Sequence, residues 1–147
     1  MNWIIYLLAA LAGAANPGQS AANAELNKQL GNLFISTAFV YATGLAGIFI
    51  LAACVRSSLP APDKFTIVPW WAWTGGFLSI GATLAGAAFA QRLGSGVFTG
   101  ITVTSAIVMS IVLDNFGWMG LKQHPVTAPR ILGGVLMIIG LWLTAKF

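Results

Sequence analysis

The 147-residue chain carries only ten formal charges, 7% of its residues, where an ordinary soluble domain carries about a quarter. So low a charge excludes a water-soluble globule, and a hydrophobic content of 58% points to a chain built for lipid. The net charge of +4 does not imply a nucleic-acid partner, because the seven basic residues stand one or two to a segment and form no patch.

The charges leave uninterrupted neutral runs of 24, 27, 27, 21 and 15 residues, from Met1 to Ala24, Gln29 to Val55, Phe65 to Gln91, Leu93 to Leu113 and Ile131 to Ala145. A helix needs about 20 apolar residues to cross a hydrocarbon layer about 30 Å thick. Four runs suffice outright. The fifth is extended by Arg130 and Lys146, whose long stems stay in lipid while their head groups reach the interfaces. The expectation is an all-α integral membrane protein, one membrane domain over residues 1–147, with five transmembrane helices at about 2–22, 33–55, 68–91, 93–115 and 130–146.

The first span opens with Trp3-Ile4-Ile5-Tyr6-Leu7-Leu8, which resembles a secretory signal, but no Lys or Arg precedes it and we read it as a span. Its second half is the chemically richest stretch of the chain. At about 100° per residue, Asn16, Gln19, Ser20, Asn23 and Asn27 fall on one stripe about 100° wide. Amides in hydrocarbon are costly unless they face partners or water, so the stripe is expected to point into the bundle. Pro17 also removes a helical donor, leaving a backbone carbonyl unpaired at mid-helix. A polar path is one reading. Interhelical glue is the other, with Asn23 and Asn27 as caps at the helix end.

Residues 24–32 form a polar connection containing Glu25, a candidate for gating or ion coupling if the first span tilts inward. The next connection, from Arg56 to Thr66, carries Pro60 and Pro62, and Arg92 with Gly94 marks a tight joint after the third span. Connections this short are expected to place successive spans side by side and antiparallel. Most glycines lie inside spans, where small residues let helices approach without a hydrophobic driving force. Ala82, Gly86 and Ala90 keep a small-xxx-small spacing, as do Gly96 and Gly100, and these rows suit packing within the chain or between subunits.

The fourth span contributes Thr99, Thr102, Thr104, Ser105 and Ser110, hydroxyls that can bond their own helix, and ends in Asp114. Ser110 and Asp114 share a face. An aspartate at a helix C-terminus opposes the dipole, so Asp114 should have a donor from Arg130, Lys122 or loop amides. It is a candidate for gating or for an interfacial ion pair. Pro125 and Pro129 break the last loop before the fifth span. No carboxylate sits at the centre of a span, so exchange of protons for an organic cation has no obvious carrier. The lone Cys54 and His124 give no disulfide and no metal spacing, His124 has no paired nucleophile, and neither a cofactor nor an enzyme is expected.

Five spans put the termini on opposite sides. Arg56, Lys64, Lys122 and Arg130 then share the amino-terminal side, and Lys28, Arg92 and Lys146 the other. A balance this even gives little bias of orientation, with a slight preference for the amino terminus inside. Trp3, Trp70, Trp71, Trp73 and Trp118 also fall near the amino-terminal side and Trp142 near the opposite one, so one copy supplies one aromatic belt and two inverted copies supply both. The alternative is that protein contacts bury several of these rings. An odd-span unit paired with its inverted copy makes a ten-helix bundle with a two-fold axis in the membrane plane, the symmetry of many alternating-access carriers.

Gln19, Asn23, Leu26 and Gly31; Phe39 and Gly44; Pro69-Trp70-Trp71 followed by Gly75-Gly76; Leu93-Gly94; Ser110, Asp114, Phe116 and Gly117; and Arg130, Gly133, Leu136, Met137 and Gly140 form a pattern along nearly the whole chain. In these positions the chain resembles the YdcZ-like five-span branch of the drug/metabolite transporter superfamily. Ser105-Ala106 stand where the family pattern has Gly-Gln, and Asn115 where a histidine is common. The resemblance implies half of a ten-helix inverted-repeat bundle in a bacterial inner membrane, moving a small-molecule substrate as a homodimer, a paired half-transporter or a fused duplicate.

The resulting expectation is a secondary transporter or exporter of small metabolites or amphiphilic compounds. It acts as an antiparallel dimer, with Asn16, Gln19, Asn23 and Ser110 lining the path and with membrane lipid around it. The competing expectation is a non-transporting membrane subunit or assembly factor.

Overall fold

The computed structural model describes residues 3–147, so Asn2, the first residue of the expected first span, lies outside it. Its helices are α1 (Trp3–Leu30), α2 (Leu33–Cys54), the single-turn α3 (Pro62–Thr66), α4 (Gly75–Leu93), α5 (Ser95–Phe116) and α6 (Ala128–Lys146). A 3-10 turn at Trp70–Thr74 leads into α4, another at Trp118–Gly120 follows α5, and the described residues contain no strand. Among the described residues, four segments are long and apolar enough to cross a membrane: α2, the turn with α4, α5 and α6. The chain is therefore an all-α membrane protein. The remaining expected span, α1, has the length, at 28 residues or about 42 Å, but not the uniform apolarity. Asn16, Pro17, Gln19 and Ser20 interrupt it.

α1 departs from expectation in two ways. It runs unbroken through Pro17, so the missing amide leaves the Gly13 carbonyl without its helical donor but does not break the helix. It also continues to Leu30 rather than ending at about residue 22. Alanine, leucine, glutamate, lysine and glutamine dominate that last stretch and favour helix, so Asn23 and Asn27 lie within α1 and cap nothing. The polar connection shrinks to Gly31, at φ +65°, and Asn32. Asn32 Oδ1 accepts the Phe34 and Ile35 amides, each at 3.1 Å, and so starts α2.

The α4–α5 corner is a single residue, Gly94, at φ +83° and ψ 140°. The expected last loop is shortened by α6, which starts at Ala128 with Pro129 in its first turn, where a missing amide costs nothing. This loop folds back over the end of α5. The His124 amide reaches the Asp114 carbonyl at 2.8 Å, Gln123 Nε2 reaches the Asn115 carbonyl at 2.8 Å, and Asn115 Oδ1 accepts the Val126 amide at 3.1 Å.

Successive long helices pack together as expected, but the most extensive contact joins α1 to α4, and α1 also touches α2 and α5. α1 is thus the centre of the bundle, while α6 packs chiefly on α5. The buried apolar residues are Ala24, Ala87, Ala90 and Phe98, mostly small, as close helix packing in lipid requires. A Cβ at Gly86 would lie 3.4 Å from Ser20 Oγ, and one at Gly100 only 2.7 Å from Leu141 Cδ1. Both glycines serve contacts within the chain, whereas Gly96 faces open space.

Large aliphatic and aromatic side chains cover the outside of the bundle, as in a protein solvated by lipid. At the end of the bundle that carries the amino terminus, Trp3, Trp70, Trp73 and Trp118 remain exposed, Trp73 stacks on Phe65, and Trp118 stacks on Phe116. Only Trp71 among these rings is half-buried, beside Gly120. At the other end, Lys146 Nζ sits 4.8 Å from the Trp142 ring centre.

Candidate functional site

The face of α1 that carries the amides turns toward α4 and α5 and encloses with them a half-open cleft of about 300 Å³. Asn16, Gln19, Ser20 and Asn23 form one wall. Ala82, Thr83, Ala85 and Gly86 of α4 form the second, and Phe98, Thr99, Thr102, Val103 and Ala106 of α5 the third. Each wall follows from helical periodicity: Asn16, Gln19 and Asn23 recur at intervals of three and four residues, as do Thr99, Thr102 and Ala106.

The cleft is graded in depth. Asn16 and Gln19 are exposed at its mouth, Ser20 is half-buried, and Asn23 is buried with 8% of its surface accessible. Ala24, Ala87, Ala90 and Phe98 are buried between the helices. Two polar ties join α1 to α4 toward the α1–α2 turn. Asn27 Nδ2 donates to the Ala87 carbonyl at 3.4 Å, and Gln91 Nε2 donates to Glu25 Oε2 at 3.5 Å.

Among the described residues, no charged side chain lines the cleft. Its hydroxyls are partly committed: Thr102 Oγ1 donates to the Thr99 carbonyl at 3.0 Å, and Thr83 Oγ1 pairs with the Tyr41 phenol of α2 at 3.0 Å. The described residues contain no cluster of groups able to hold a metal ion.

The other expected site residues stand apart. Ser110 lies one turn beyond Ala106, with its hydroxyl donating to the Ala106 carbonyl at 2.8 Å, and shares a separate recess with Asp114, Arg130 and Gly133. Arg130 supplies the donor expected for Asp114, at 3.5 Å. Glu25 faces another recess with Gln91, Gly94 and Ser95. Its carboxylate accepts from Gln29 Nε2 at 2.6 Å and lies 3.9 Å from Lys28 Nζ. Thr83 and Phe98 were not singled out from sequence. Thr83 precedes Gly86 by three residues and so belongs to the small-residue face of α4, which was a usable signal; Phe98 had none.

Comparison with known proteins places this architecture. Residues 4–143 match the family described as "Putative inner membrane exporter, YdcZ". The chain belongs to this family. It is also 25% identical over 121 residues to the inner membrane protein YdcZ of Escherichia coli (strain K12), covering 82% of this chain and 72% of that one. No solved structure is matched. Membership in the YdcZ family, together with several apolar helices, makes the chain a multi-pass bacterial inner membrane protein of transporter type.

Proposed function

We propose that the chain is a half-transporter that exports small metabolites or amphiphilic compounds by alternating access, as an antiparallel homodimer whose path runs through the amide-lined cleft. One observation carries this reading. Asn16 and Gln19 hold polar groups at the open mouth of a cleft in the middle of a membrane bundle, with buried Asn23 behind them. Amides at that depth require water, solute or a second protein surface. An inverted copy laid against the open side would enclose the cleft, and the even distribution of basic residues permits such a copy. In this reading the buried residues Ala24, Ala87, Ala90 and Phe98 separate to open the other end of the path.

Flux measured in vesicles reconstituted with the purified chain tests the reading. Asn16→Ala and Gln19→Ala should each lower flux about tenfold, the scale of one or two lost hydrogen bonds, while chemical cross-linking shows the dimer unchanged. Flux indifferent to both substitutions rejects the path. A weakened dimer from a chain that carries no solute points instead to a structural subunit.

A further inference from the structure

We propose that the cleft accepts an uncharged, multiply hydroxylated small solute and passes it as a uniporter, without a coupled ion. The inference rests on the transport reading above and narrows it to a substrate class and an energetic mode. The wall amides of Asn16, Gln19 and Asn23 and the hydroxyls of Ser20, Thr83 and Thr99 converge on one space. Each of these groups both donates and accepts, as does a solute hydroxyl, so the two surfaces pair without a fixed charge on either. The volume of about 300 Å³ lies at the lower end of small-molecule sites and suits a compact solute.

A net charge would find no counter-charge here, and desolvating an unpaired ion far exceeds what neutral dipoles return. The ionisable groups of the surrounding helices lie elsewhere. Tyr6, Glu25 and Lys28 on α1, Arg92 on α4 and Asp114 on α5 are all outside the lining. Glu25 is engaged by Gln29, Gln91 and Lys28, and Asp114 by Arg130. Tyr41 of α2 reaches the site through its hydroxyl, at Thr83. A path without a proton-accepting group at depth offers nothing to couple a proton gradient to solute movement, so the solute's own gradient drives it, outward when the solute accumulates inside.

Vesicles containing the purified chain are loaded in parallel with xylitol, choline or benzoate, as neutral, cationic and anionic probes. The expected result is saturable xylitol flux about tenfold above protein-free vesicles, with choline and benzoate at background. Imposed pH gradients or potassium diffusion potentials of either sign should alter the xylitol rate less than about twofold. Gln19→Glu places a carboxylate at the mouth and should raise choline flux at least about fivefold while lowering that of xylitol.

Wild-type flux of choline or benzoate above that of xylitol overturns the uncharged-solute assignment and leaves the transport reading standing. Xylitol driven against its gradient by voltage or protons overturns the uniport mode and likewise leaves the transport reading standing. A Gln19→Glu chain with unchanged selectivity removes the cleft from the path. Absence of saturable flux for all three probes, with cross-linking showing an intact dimer, overturns this inference and leaves the transport reading to the Asn16→Ala and Gln19→Ala test above.

Discussion

Gly94 alone turns the chain between α4 and α5, at φ +83° and ψ 140°, a conformation that side chains with a Cβ rarely adopt. Gly94→Ala should cost about 1–3 kcal/mol, whereas Gly96→Ala, two residues on and facing open space in a helix, should be neutral or slightly stabilising. Thermal unfolding of the detergent-solubilised protein separates the two. Thr37 is a second local case, because its hydroxyl is buried without a partner among the described residues. Thr37→Val keeps the shape and removes the unmet group, and the same unfolding assay should show a gain of up to about 1 kcal/mol. The Asp114–Arg130 pair has less effect on stability. Its side chains are 29% and 40% accessible, so solvent screens the interaction and Asp114→Asn should cost no more than about 1 kcal/mol.

Among the helices, α1 is the exception that makes a site possible. It gives up apolarity in its second half for a row of amides and packs against α2, α4 and α5, while its first half keeps large apolar side chains exposed. Its neighbours depend on local devices at their ends. Asn32 starts α2 by accepting two amides, and Asn32→Ala should destabilise that helix by about 1 kcal/mol. Asn115 serves the opposite end of the design, because its side chain and backbone carbonyl together hold the 121–127 loop over the last turn of α5. Asn115→Ala leaves the Val126 amide unpaired. Hydrogen exchange at Val126 should rise by about tenfold, while exchange in the middle of α5 stays unchanged.

For the molecule as a whole, the distribution of basic residues matters more than any contact. Arg56, Lys64, Lys122 and Arg130 stand toward one end of the bundle and Lys28, Arg92 and Lys146 toward the other, the near balance that the proposed antiparallel dimer requires. An activity reporter fused after Phe147 should register on both sides of the membrane. Variants biased by added lysines in the 57–62 loop or at the α1–α2 turn should each be silent in flux and active when expressed together. A reporter confined to one side would rule out the inverted homodimer.

Charge spacing and apolar run length were enough to place four membrane-spanning helices and the tight joint at Gly94, because lipid enforces helix length and excludes charge whatever the packing. The stripe of Asn16, Gln19 and Asn23 was equally legible, since helical periodicity puts residues three and four apart on one face before any neighbour is known. Periodicity could not say what the stripe would meet. That α4 and α5 supply the opposite walls, that Phe98 is buried against the cleft, and that Ser110 stands outside were decided by which helices α1 packs against. The true end of α1 at Leu30 also escaped the sequence reading, because charge marks where lipid stops and not where a helix does.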